Sequence, residues 1–369
     1  MKKIYYITVV FATLFLVGCG DGIDLPGVNV ETDLNKIPLP DNNVNLEQVE
    51  LKPSTEPMLH EGLHTEEDFQ RIRDKKAAGE EPWVSAYQLL VESQFSQKTA
   101  DTYPTEWIKR GVSGDENYMN AARGATIAYQ QALRWKIEQD DEYAAKAVEN
   151  LNKWVQTCVG VTGNTNLSLA AGLYGYEFAI AGELLRDYGG WDRADFAAFQ
   201  NWLLKVFYPA NDDFLKRHHD TNALHYWANW CLCNIAAKMA IGIVTDRRDI
   251  YNEGIAHLQT GDTNGRLRRA IYHDYAPDYN FAQWQESGRD QGHTLMCVGL
   301  MGVICQLAWS QGDDFFAYDD NLFLRACEYA ACCNYTNETV PYTTYIWQKQ
   351  SQWAVSYTHL RAHETGRNL

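Results

Sequence analysis

The chain has 369 residues and a formal net charge of −16, from 48 acidic against 32 basic residues. That balance excludes a nucleic-acid partner and attraction to an anionic membrane face, both of which need a basic surface. It leaves open a polyanionic ligand held in a locally basic cleft. The aromatic content, 12 Trp, 22 Tyr and 13 Phe, exceeds what a helical core built mainly of Leu and Ala needs. The surplus suits stacking against sugar rings, whose C–H faces pack well on flat aromatic surfaces.

At the N-terminus, Lys2 and Lys3 precede an apolar run from Ile4 to Val17, and Leu16-Val17-Gly18-Cys19 has the form of a lipobox. Residues 1–18 therefore read as a lipoprotein signal peptide, and the run is too short to span a bilayer. Cys19 is the expected lipidation site. The mature protein is then expected to be exported and to sit in the periplasm or at the outer-membrane or cell surface, meeting membrane only through that anchor. Residues 19–56 are rich in Asn, Asp, Pro and Gly and read as a flexible tether.

A single folded domain is expected over 57–353, with helical periodicity recurring between short polar breaks and no convincing strand alternation. Thr65 and Asp68 form a capping box that opens a first helix. Further helices are predicted near 82–96, 117–138, 141–158, 167–187, 192–207, 222–244, 289–310 and 320–334. Breaks such as Gly163-Asn164, Gly189-Gly190, Pro209 and Gly312-Asp313 separate them. Antiparallel helix pairs on short loops give a solenoid or an all-α toroid, and the pairs are too unlike in sequence for a repeat array. Residues 261–285 break the helical pattern and carry Arg266, Arg268, Arg269, Tyr272, His273, Tyr275 and Tyr279, which suggests a loop over a binding cleft.

After Trp353 the chain reads Ala354-Val355-Ser356-Tyr357-Thr358-His359-Leu360-Arg361-Ala362-His363. This resembles a translated sequencing adapter, so 354–369 reads as a non-native tail, and the natural protein is expected to continue past 353. The pair His359 and His363 is accordingly not read as a site. Besides Cys19 there are eight cysteines, in apolar helical stretches with no Cys-x-x-Cys pair. They read as buried thiols, with one or two disulfides compatible with export, and no metal or other cofactor is implied.

Two polar clusters stand out. The first, His218 to Trp230, places Asn222, His225 and Asn229 at i, i+3 and i+7, one face of the helix predicted to begin at 222. The second, Gln283 to Thr294, packs Glu286, Asp290, Arg289, His293, three glutamines and hydroxyls directly before an apolar helix. Six of the ten histidines fall between 218 and 293, a concentration that points to a polar cleft rather than scattered core histidines.

The motifs Leu59-His60-Glu61-Gly62-Leu63-His64-Thr65, His225-Tyr226-Trp227-Ala228-Asn229-Trp230 and Glu286-Ser287-Gly288-Arg289-Asp290-Gln291-Gly292-His293 give the chain a resemblance to the alginate-lyase-like polysaccharide lyases over about 57–350. Members of that group often carry Asn directly beside the His; here the counterpart is Asn222 or Asn229. The resemblance implies an α/α toroid, here an incomplete barrel of helical hairpins, that cleaves a uronate-containing anionic polysaccharide such as alginate or a glucuronate-containing glycan by β-elimination.

That chemistry removes the proton at C5 of a uronate, which is weakly acidic until donors neutralise the neighbouring carboxylate. Arg289, His225 and Asn229 or Asn222 are the expected clamp. Tyr279 is the first-choice proton carrier, with Tyr272, Tyr275, Tyr342 and Tyr345 as rivals. Glu286, Gln291, His293 and Trp230 are expected to bind or orient the sugar. Two other readings fit the same features. A glycan-binding surface lipoprotein shares the anchor and the tryptophans, and a toroidal glycoside hydrolase would need a separated carboxylate pair.

Overall fold

The computed structural model describes residues 54–335 and 340–345; Cys19, the tether before residue 54 and the adapter-like tail lie outside the described residues. The domain is mostly helical. In chain order it runs α1 (Glu66–Ala77), α2 (Trp83–Glu92), β1 (Trp107–Arg110), α3 (Tyr118–Glu138), α4 (Asp141–Thr157), β2 (Gly160–Gly163), α5 (Leu167–Leu184), α6 (Arg193–Val206) and α7 (Tyr208–Arg217). It continues with α8 (Ala228–Val244), α9 (Arg248–Thr260), a four-residue α10 (Leu267–Ala270), β3 (Ile271–Asp274), β4 (Ala282–Trp284), α11 (Gln291–Ser310) and α12 (Tyr318–Tyr335).

Four helices form an inner row: α3 packs on α5, α5 on α8, and α8 on α11. Their partners line the outside, with α4 against α3, α9 against α8 and α12 against α11. The sequence dictates which helices go inside. In α5 every residue except Leu167 and Glu177 is buried, and in α8 every residue except Trp230; a helix apolar on all sides has no solvent face to offer. The amphipathic α9 covers α8, as α4 covers α3, and α7 packs against both α5 and α8. At Gly242 an added Cβ would lie 2.6 Å from the backbone nitrogen of Tyr251, so only glycine allows α8 and α9 to approach this closely. α11 is long and apolar enough to cross a membrane, but it is 67% buried and serves here as a core helix.

The inner helices all start at one end of the toroid. There β1 and β2 pair in parallel just ahead of α3 and α5, while the turn Gln285–Gly288 ahead of α11 touches the start of α8. At the opposite end the segment before α1 closes the ring. The Gln311 side chain bonds the backbone of Leu59 and Glu61, and Arg248 donates to the carbonyls of Glu56 and Pro57. The capping box of Thr65 and Asp68 opens α1 as expected.

Most predicted helices lie close to their expected spans, but three features differ. The helix expected from 222 begins at Ala228, so Asn222 and His225 lie on the preceding loop and share no helix face with Asn229. Helices α7 and α9 were not expected, and four short strands form two ribbons. The loop expected over 261–285 is α10 followed by the antiparallel β3–β4 hairpin. The described cysteines are all free thiols.

Three histidines are held neutral inside the fold. Burial pushes His218 down to about 4, with the nearby charges of His219 and His225 acting in the same direction. Burial also takes His257 and His64 to about 4, in His64 against the attraction of Asp68. A histidine whose folded pKa is depressed takes its proton first in the unfolded chain, so stability is lost as pH falls from about 6.5 towards 4. Thermal melts should therefore show the melting temperature falling across that window. Replacing His218 by Gln should make the decline shallower; an unchanged slope would show that His218 does not contribute.

Candidate active site

Helix α8 begins at Ala228 after Trp227, whose indole cannot accept a hydrogen bond, and no local side chain caps the helix. The first N–H groups of a helix need acceptors. Here they come from far along the chain: Gln285 Oε1 accepts from the Ala228 N–H at 2.9 Å, and Glu286 Oε1 accepts from the Asn229 N–H at 2.9 Å. The two caps come from the Gln285–Gly288 turn, which the β3–β4 hairpin delivers.

Glu286 is fully buried and collects donors from three elements. Its Oε1 also accepts from the side-chain amide of Asn229 at 2.7 Å and from the Cys297 thiol of α11 at 3.2 Å, and its Oε2 accepts from Arg289 Nη1 at 3.0 Å. An isolated carboxylate in such a place would cost several kcal/mol. The partial positive charge at the start of α8 and the guanidinium offset that cost. Arg289, thus held, lies over the Trp227 ring at 5.4 Å.

Gln285 and Gln283 extend the network. Gln285 Nε2 donates to the Tyr345 hydroxyl at 2.8 Å, and the Tyr345 ring packs on Trp227 with centroids 5.9 Å apart. Gln283 binds the backbone of Thr343 on both sides of its amide and donates to Ser287 Oγ at 2.8 Å. The three polar side chains at 283, 285 and 286 thereby fix, respectively, the segment carrying Tyr345, the tyrosine itself, and the arginine. Burial pushes the Tyr345 hydroxyl up to about 12, while bonds from Gln285 and Asn264 and the charge of Arg269 act in the opposite direction.

The other expected site residues distribute around this centre. His225 is half-buried on the loop before α8, its ring 4.9 Å from that of Tyr226. Asn222 is exposed and its side chain accepts from the Leu224 N–H. Asn229 is buried with its amide nitrogen committed to Glu286, so it positions the carboxylate rather than facing the cleft. Trp230 is half-buried against Tyr226 and Phe214.

Asp290 caps α11 through the His293 N–H and accepts from His293 Nδ1 at 2.6 Å. Burial raises the Asp290 carboxyl, but the bonds from the His293 side chain and backbone outweigh this and leave it below the usual range. Gln291 donates to Asn334 and ties α11 to α12. Tyr279 stands apart, 51% exposed at the hairpin and stacked on Phe281. Trp284 is fully buried with its N–H on the Ala326 carbonyl, which makes it a core residue.

Trp227, Gln285 and Asn264 were not singled out by sequence. Gln285 and Trp227 lay within the two polar motifs, but the bond from the Ala228 N–H to Gln285 spans 57 residues, which no local pattern encodes. Replacing Glu286 by Ala leaves the Asn229 donors and Arg289 without their buried acceptor, and should cost roughly 3–5 kcal/mol in urea denaturation. Glu286→Gln keeps the volume and one acceptor oxygen and should lose clearly less. Equal losses would show that the acceptor oxygens are not what holds the turn to α8.

Comparison with known proteins agrees with this architecture. The family model described as alginate lyase matches residues 72–338, well over half of the chain. Among solved structures, a histidine-to-alanine variant of alginate lyase A1-III complexed with tetrasaccharide superposes with a TM-score of 0.58 at 12% identity, over 75% of this chain and 78% of that one. Alginate lyase A1-III from Sphingomonas species A1 gives 0.52 at 13% identity, over 74% and 79%. An alginate lyase from Bacteroides ovatus gives 0.50 at 14% identity, over 73% and 82%. No curated protein sequence matches the chain. At such identities the structural likeness speaks for the fold, an α/α toroid, and the family match carries the assignment: the chain belongs to the alginate lyase family.

Proposed function

We propose that the cleft at the start of α8 and α11 cleaves a uronate-containing polysaccharide, alginate or a glucuronate-containing glycan, by β-elimination. The observation that carries this reading is the guanidinium of Arg289, oriented by a buried carboxylate and laid over an indole at the end of the toroid where the inner helices begin. A fixed guanidinium is suited to a sugar carboxylate, which it meets in a forked geometry. Neutralising that carboxylate lets the C5–H bond release its proton, because charge that develops on the carboxylate oxygens is met by a donor already in place.

In this scheme the C5 proton passes to His225, the imidazole on the loop beside Trp227. The electron pair becomes the C4–C5 double bond, the C4–O4 bond breaks, and the departing O4 takes a proton. Tyr345 suits that last transfer. Its oxygen accepts from Gln285, so the hydroxyl hydrogen is left to donate, and burial keeps the group protonated. Glu286, Gln285 and Asn229 touch no substrate here; they hold the groups that do.

The same reading places the protein outside the cytoplasm, anchored through Cys19. Its support is the Lys2-Lys3 start, the apolar run and the lipobox-like Leu16-Val17-Gly18-Cys19. Labelling with a radioactive fatty acid in cells should mark the chain, and Cys19→Ala should abolish the label; label retained in the variant would remove the anchor from the account.

The activity test follows ultraviolet absorbance of the conjugated double bond during reaction with alginate, polyglucuronate and glycosaminoglycans. Absorbance should rise with at least one polymer and fall by about 10²–10³-fold in kcat for Arg289→Ala, the loss of one preorganised donor to the developing charge. Arg289→Lys should recover only part of the rate, because an ammonium cannot form the fork. No rise with any polymer would overturn the reading.

A further inference from the structure

The other face of the same toroid end carries a tryptophan that the site described above does not use. Trp107, the first residue of β1, is 42% exposed, while Trp154, Trp191, Trp202 and Trp284 are buried. Its benzo ring lies over Gly160 of the paired strand, where an added Cβ would come within 2.5 Å of Cζ3. One side of the indole thus rests on bare backbone and the other is open to solvent. The Trp107 carbonyl accepts from the Asn117 amide and the Thr105 hydroxyl, both at 3.0 Å, so the strand beneath the ring is fixed. Val159, next to Gly160, is also exposed, at 56%.

Strand alternation puts Lys109 on the same face as Trp107, roughly 7 Å along the strand. Its ammonium pairs with Asp115 at 2.6 Å, and that aspartate side chain is 66% exposed. An exposed pair of this kind contributes little and exchanges readily for another anion. Ile108 and Arg110 face the other way and are buried, with Arg110 stacked on Tyr118 at 4.6 Å. An open aromatic plane with a cation one strand repeat away suits a uronate ring, the C–H face on the indole and the carboxylate at the ammonium.

We propose that Trp107 and Lys109, seated on Gly160, form a remote subsite for a uronosyl residue of the polymer that the cleft cleaves. The proposal rests on the polysaccharide reading of the cleft. Continuity along one end of the fold supports it. The ribbon leads to Asn164 and the start of α5, where Ser168 Oγ meets His219 Nε2 at 3.0 Å, and His219 packs on Tyr226 beside His225. Two helix spacings of about 8–10 Å separate α3 from α8, more than a bound trisaccharide covers, so only longer chains reach both places.

The test compares kcat/KM on uronate polymer with that on a uronate trisaccharide for the whole protein and its Trp107→Ala, Lys109→Ala and Gly160→Ala variants. Trp107→Ala should lower the polymer-to-trisaccharide ratio roughly 3- to 10-fold, the range of a single aromatic contact. Gly160→Ala should reproduce that loss by displacing the ring while the indole is still present, which separates the platform from a general effect on folding. An unchanged ratio in all three variants would overturn the subsite. Affinity electrophoresis of Arg289→Ala protein through alginate and polyglucuronate gels supplies a reading without turnover. Retardation that depends on Trp107 supports the subsite. Cleavage without Trp107-dependent retardation refutes the subsite alone, and neither cleavage nor retardation refutes the polysaccharide reading with it.

Discussion

The arrangement of the cleft depends on one buried carboxylate. Glu286 stands where an inner helix starts without a local cap, and it accepts from that helix, from Asn229, from Cys297 and from Arg289. Each of these contacts is needed by both sides. The helix needs an acceptor for its first N–H groups, the carboxylate needs donors to be tolerated out of water, and the guanidinium needs a fixed partner to keep one orientation. Because a single side chain meets all three needs, the start of α8, the turn before α11 and Arg289 are held together as one unit. Gln285 repeats the device one residue earlier and carries Tyr345 into it.

The toroid supplies the place for that unit. Inner helices with no polar face must be surrounded, and their common direction brings several uncapped starts to one end. That end gathers the first N–H groups of these helices and their partial positive charge, which favours acceptors such as Glu286. A chain of net charge −16 can therefore still present a local cationic and donor-rich surface. The opposite end is closed by the segment before α1.

Much of this was legible in the sequence, and the misses have physical reasons. Helices α3, α4 and α11 announced themselves by continuous periodicity or apolar runs, and α1 by its capping box. The start of α8 was misplaced by six residues because Asn222 to Trp227 keeps a helix-like spacing of polar and aromatic groups. The residues that decide otherwise, Gln285 and Glu286, are 57 positions away. Pro209 was read as a break, yet a helix's first turn accommodates proline because the N–H it lacks has no partner there, and α7 begins at that point; α9 follows an arginine with no side-chain cap. The polar run from Gln283 to Thr294 supplies the caps of α8 and α11. Sequence could not tell its buried members, such as Trp284 and Glu286, from those facing the cleft, because alternation between core and cleft here follows a hairpin and a single turn rather than a regular period.

The most direct measurement of the central claim is mass spectrometry of the products formed from a uronate oligosaccharide in heavy-oxygen water. Elimination at a cleft organised by Arg289 and Glu286 adds no water, so the new non-reducing end should be one water lighter than a hydrolytic product and should carry no heavy oxygen. Products that gain the mass of water together with the heavy label would show hydrolysis and contradict the account.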